Sequence, residues 1–99
     1  MIIYEVNIEV SKKIYTNYIK WLDLHILEML HFDGFLKSKK FLDKNHSNNQ
    51  YMYVSVHYYL KSIKHLDNYL NNNAKNMRTM SDKNFINNIK ITRRVLHEL

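Results

Sequence analysis

The chain has 99 residues, of which 45% are hydrophobic and 13% aromatic, enough apolar material for one core in a length too short for two independent ones. It contains no cysteine, which excludes a disulfide framework, a zinc ribbon and a thiol nucleophile, and suits a reducing, cytoplasmic setting. The formal charge of +6 points toward an anionic partner such as nucleic acid. However, arginine is confined to Arg78, Arg93 and Arg94 while lysine and asparagine abound, a bias that an AT-rich coding sequence would impose on any protein.

Ile2 to Val10 alternates, with Ile2, Tyr4, Val6, Ile8 and Val10 on one side and Ile3, Glu5, Asn7 and Glu9 on the other, which predicts a strand with one apolar face. This opening lacks the basic-then-apolar layout of a signal peptide, and no apolar run reaches the length of a membrane span. From Ser11, an expected N-cap, to about His31 the period lengthens. Ile14, Tyr18, Trp21, Leu22, His25, Met29 and Leu30 then share one stripe of an amphipathic helix. Asp33-Gly34 ends it, the sole glycine standing where a helix terminus needs a positive φ.

Phe35 to Leu42 reads as a lysine-rich second strand, followed by a polar hairpin loop in which asparagines are expected to take the role of glycine. Gln50 to Leu60 returns as a third strand. Its Met52, Val54, Val56, Tyr58 and Leu60 oppose Tyr51, Tyr53, Ser55, His57 and Tyr59. Ser62 is placed to cap a second helix with Ile63, Leu66, Leu70, Ala74 and Met77 at helical spacing, interrupted around Asn71-Asn72-Asn73. Ile89 to Leu96 completes the chain as a fourth strand.

The order strand, helix, strand, strand, helix, strand defines an α+β, ferredoxin-like plan over residues 1–99 as one domain. Its four-stranded antiparallel sheet carries both helices on one face. The other face is left uncovered and is expected to hold Glu5, Asn7 and Glu9 beside Tyr51, Tyr53, His57 and Tyr59. A row of tyrosines of this size calls for a cover, whether a second sheet, a ligand or a nucleic acid.

The opening MIIYEV, the helical segment with Trp21, His25 and Ile26, the turn into Gly34-Phe35 and the ending Arg93-Arg94-Val95-Leu96 resemble a family of small bacterial proteins of unknown function. Leu27 stands where that family commonly has a proline. The resemblance covers nearly the whole chain and implies a ferredoxin-like, dimeric α/β-barrel fold, without supplying an activity. Some oxygenases of that barrel group bind haem or aromatic substrates between helices and sheet. The resemblance implies such a pocket beside Trp21 and His25, with Asn7 similar to an asparagine of the first strand. The axial histidine of the haem-binding members lies on the other helix.

Trp21, His25 and Glu28 stand at helical spacing on one pocket edge, although a helical histidine beside core residues is more often a packing residue. The histidines form neither an i, i+4 pair nor a His-Glu-x-x-His helix, so neither a metal nor a cofactor is expected. Ser55 and His57 share a strand face about 7 Å apart, too far for a nucleophile and base. One glycine cannot build a phosphate loop.

Tyr51-Met52-Tyr53-Val54 resembles the stacking platform of RNA-recognition motifs, but matching Tyr4 to that platform would drive Glu5 and Glu9 beneath the helices. Lys37, Lys39, Lys40 and Lys44 form the densest basic patch, on an expected edge strand where lysine commonly guards against edge pairing. The leading reading is a homodimer formed through the open face by Glu5, Tyr51, Tyr53, His57, Tyr59 and Arg94, acting as an interaction or small-ligand module with no catalytic residue assigned. A dimeric-barrel enzyme and a basic RNA-associated protein are the alternatives.

Overall fold

The computed structural model describes residues 1–99, the side chain of Asp82 excepted. Its elements are β1 (Ile2–Ser11), a 3-10 turn (Lys12–Ile14), α1 (Tyr15–Met29), β2 (Phe35–Leu42), β3 (Tyr51–Leu60), α2 (Ile63–Asn72), α3 (Ala74–Phe85) and β4 (Ile89–His97). The strands form one antiparallel sheet in the order β2-β3-β1-β4. This is the ferredoxin-like arrangement expected from the sequence.

β1 is hydrogen-bonded along both edges, so its parity sets that of its neighbours. Tyr4 faces Tyr58 on one side and Val95 on the other, and Ile8 lies between Val54 and Ile91. Tyr4, Ile8, Val10, Val54, Val56, Tyr58 and Leu60 are buried beneath α1, α2 and α3, with Tyr18, Leu22, Ile26 and Met29 of α1 and Leu66, Tyr69, Ala74 and Met77 of the later helices. Val6 is only half-buried because its β4 partner is Arg93 and not an apolar residue.

An aromatic cluster joins the sheet to α2. Tyr4 and Tyr58 stack at 6.2 Å, and Tyr69 meets Phe32 at 5.1 Å and Phe35 at 5.3 Å. Such ring pairs add to the stabilisation from area burial. Burial pushes the Tyr18 and Tyr69 phenols up to about 12, and Tyr58 higher still.

Four expectations are corrected in detail. Ser11 ends β1 and its side chain makes no cap hydrogen bond; its backbone N–H donates to the Asn88 carbonyl, and the chain enters α1 through the 3-10 turn. The buried stripe of the second helical region runs through Leu66 and Tyr69, leaving Ile63 and Leu70 exposed. The break at Asn73 separates two helices whose phases are set independently. Trp21 and His25 lie at the margin of the α1 stripe, with Ile26 the more deeply buried. In the hairpin loop, no residue other than glycine has a positive φ among the described residues. Its side chains act as hydrogen-bond acceptors instead: Asp43 Oδ1 accepts from the backbone of Asn45 and His46, and Asn48 Oδ1 from Gln50 and Tyr51.

Gly34 has φ 84°, and a Cβ there would lie 2.2 Å from the His65 ring. That ring is held by Ser62, which caps α2: Ser62 Oγ is 2.7 Å from His65 Nδ1 and accepts from the His65 backbone N–H. Strain in the backbone and overlap with the ring therefore act together. Gly34→Val is expected to cost at least about 1 kcal/mol, measured by urea unfolding. Adding His65→Ala should recover the steric part and leave the φ penalty. By the same measurement, Val54→Ala and Val56→Ala should each cost about 1–3 kcal/mol through lost burial and residual cavity, whereas Tyr53→Ala in the monomer state should cost less.

Candidate functional site

The helix-free face is built by the odd-numbered residues of β1 and β3 with the even-numbered residues of β4. Glu5 lies between His57 and Arg94, Asn7 between Ser55 and Thr92, and Glu9 between Tyr53 and Lys90. From β2 this face receives Lys37, Lys39 and Phe41, opposite Tyr59, His57 and Ser55, the bulge at Leu36 having shifted the register after Phe35. Lys37 Nζ sits 4.9 Å from the centre of the Tyr59 ring, and Phe41 lies 5.0 Å from the His57 ring. Tyr51 and Phe41 are exposed, at 38% and 47%.

Glu5 is the centre of this face. Although no helix covers it, it is 4% exposed, because its carboxylate is enclosed by its own neighbours. Arg94 donates from Nε to Oε2, Asn7 Nδ2 donates to the same oxygen at 3.0 Å, and His57 Nε2 stands 2.9 Å from Oε1. Hydrogen bonding from Arg94 is the largest cause holding the carboxyl below its ordinary value of 4.5; burial opposes it, and Asn7 and His57 reinforce it.

The lysines of the expected basic patch do not share a surface. Lys37 and Lys39 belong to the helix-free face, Lys40 lies on the helix side and pairs with Asp23 of α1, and Lys44 is in the hairpin loop. Alternation along β2 separates them, since consecutive strand residues point to opposite faces.

Beneath the helices, α1, α3 and the sheet line a partly open cavity of about 40 Å³. Trp21 and His25 line it, their rings stacked at 4.7 Å and 16°. Phe85, at the end of α3, packs edge-on against both Tyr18 and Trp21. Asn7 does not line this cavity. Its odd-numbered position sends it to the opposite face of β1, so the three residues considered together in the sequence fall into two separate sites. Arg78 and Ser81 of α3 and Arg93 of β4 also line the cavity. They carry no motif; the available signal was the spacing of Arg78 from Ala74, of Ser81 from Met77 and of Arg93 from Ile91.

An antiparallel β2-β3-β1-β4 sheet with helices on one face defines a ferredoxin-like protein of the kind found in dimeric α/β barrels. The chain belongs to the family described as domain of unknown function DUF4286, whose model matches residues 1–99. No curated protein matches the sequence significantly. Among solved structures it is similar to a dimeric ferredoxin-like protein from an uncultured marine organism, with TM-score 0.72 and 12% identity over 100% of this chain and 95% of that one. An antibiotic biosynthesis monooxygenase gives TM-score 0.71 and 7% identity over 100% and 99%. SnoaB, a cofactor-independent oxygenase from Streptomyces nogalater, gives 0.66 and 8% over 98% and 92%. These likenesses establish the fold. No helix is long and apolar enough to cross a membrane among the described residues.

Because the folded-state pKa of Glu5 is depressed, the carboxylate contributes stability that is full above 4.5 and is lost as pH falls through the folded value. Glu5→Gln should therefore flatten the decline in stability below pH 4.5 relative to wild type, as read by urea midpoints from pH 6 to pH 3. An unchanged acid limb would mean that Glu5 is not held ionised by its neighbours.

Proposed function

We propose that this protein is a cytosolic, homodimeric small-ligand-binding module: two copies pack their helix-free sheet faces together, and each keeps a cavity between its own helices and sheet. The state of Glu5 carries the dimer reading. A carboxylate in the middle of an uncovered face would normally oppose burial against a second protein, since an unpaired charge there is costly. Here Arg94, Asn7 and His57 already satisfy it within one chain, and β4 places Lys90 opposite Glu9. What the face still offers is ring surface from Tyr51, Tyr53, Tyr59 and Phe41, with phenol groups able to reach water or a partner, the combination favoured in interfaces. That a structural neighbour is described as a dimeric ferredoxin-like protein supports a dimer.

The oxygenase names among the structural neighbours describe those proteins. In this chain the cavity of about 40 Å³ is well below the roughly 300–1,000 Å³ that encloses a drug-sized molecule. Neither a haem nor a multi-ring aromatic substrate fits it, which favours a small ligand.

Light scattering at micromolar concentration should give twice the chain mass of 12.1 kDa. Ser55→Arg, which sets a charge at the centre of the face, should return it to the monomer mass, and Tyr53→Ala should weaken association. A wild-type mass of 12.1 kDa at tens of micromolar would overturn the dimer.

A further inference from the structure

Three side-chain atoms are buried without a well-formed hydrogen bond among the described residues: His25 Nδ1, Arg78 Nε and Ser81 Oγ, the last beside the Tyr18 hydroxyl. They come from two helices, and all three residues line the one cavity between α1, α3 and the sheet. Buried polar atoms are ordinarily satisfied, because a bare one forfeits its hydration with nothing in return. Their convergence marks a place built for a polar guest.

The chemistry of the walls specifies that guest. Arg78 is anchored at its far end, where Nη2 donates to the Tyr4 hydroxyl at 3.1 Å, while its buried Nε has no partner among the described residues. Arg93, exposed on β4, adds a second guanidinium to the lining. Burial holds the His25 pKa down despite the nearby Glu28 carboxylate; this favours the uncharged ring, and Nδ1 of that ring can donate. No carboxylate belongs to the lining among the described residues. Two guanidinium groups with neutral donors make a site for an anion.

Size then selects among anions. A water molecule requires roughly 10–15 Å³ of such space, so about 40 Å³ holds a group of three or four heavy atoms. That accommodates a carboxylate at the buried end, and the space continues past Arg78, Ile91 and Arg93 into a surface groove of about 200 Å³. Ile8, Leu22, Met29 and Val56 complete the walls and suit a short apolar substituent. We propose that the cavity between α1, α3 and the sheet is a binding site for a small monocarboxylic acid, its carboxylate held by Arg78, Arg93, His25 and Ser81. This rests on the small-ligand reading above and names the ligand class; the site lies within one protomer, away from the proposed dimer face.

Trp21 is the sole tryptophan and stacks on His25 at the cavity wall, so its fluorescence reports occupancy directly. Formate and acetate are titrated at constant ionic strength against chloride, with acetamide as the neutral isostere of acetate. A saturable change with formate or acetate, absent with chloride and at least tenfold weaker with acetamide, is expected. Arg78→Gln and Arg93→Gln, each verified as folded by circular dichroism, should each weaken acetate at least tenfold, and Arg78→Lys should restore only part of the loss. Equal binding of acetamide would overturn the carboxylate assignment while leaving a small-ligand site. No response to any of these probes up to 100 mM, or responses unchanged in both glutamine variants, would overturn the site itself.

Discussion

Every part of this molecule is sorted by the alternation of β1. That strand is bonded to β3 along one edge and to β4 along the other, so a shift of one residue would exchange the two faces of three strands at once. Tyr4 and Ile8 go beneath the helices, and Glu5, Asn7 and Glu9 go to the other side. The alternative parity would place two carboxylates in an aromatic core, where desolvation without partners is prohibitive. Because the buried row of β3 is Val54, Val56, Tyr58 and Leu60, β1 and β3 agree independently, and the register has no close competitor.

That sorting produces two sites with opposite character. The helix-free face has its central charge neutralised by its own strands and exposes rings, so it can lose water to a flat partner. The helix side gathers cationic and neutral donors around a small void. Arg93 and Arg94, adjacent in sequence, divide between them: Arg94 pairs with Glu5 across β1, while Arg93 faces the cavity. A slip of one position in β4 would set one arginine in the other's place and leave the second role unfilled.

The features legible in the sequence were those with a strong period or a unique residue. β1 and β3 alternate over their full lengths, and Gly34 had no rival for the positive φ after α1. Less legible were features decided by tertiary contact. Leu70 and Tyr69 are adjacent and both apolar enough for a core stripe; the choice of Tyr69 comes from the ring cluster with Phe32 and Phe35, which are distant in sequence. β4 carries two arginines in succession, so which of them meets Glu5 is decided only by its pairing with β1. The grouping of Asn7 with Trp21 and His25 came from a family resemblance, and the strand's period of two already opposed it. Lys40 was grouped with Lys39 by proximity in sequence, which on a strand implies opposite faces.

The polar void follows from the composition of α3. Leu66 and Tyr69 of α2 fill the space above the Tyr4 and Tyr58 rings, but the helix breaks at Asn73 and resumes with Ala74, Met77, Arg78 and Ser81 toward the sheet. Two of these four are polar, and the apolar side chains beside them are Ala and Met, so the layer thins where α3 meets β4. Phe85 restores aromatic packing only at the end of α3, against Tyr18 and Trp21. A helix selected solely to cover the sheet would place leucine or isoleucine at 78 and 81, since apolar residues there would fill the void and leave no unsatisfied donor. At its inward position Arg78 is tied back to the sheet through the Tyr4 hydroxyl, which recovers part of the cost of a guanidinium there and leaves its Nε as the group the proposed ligand would meet.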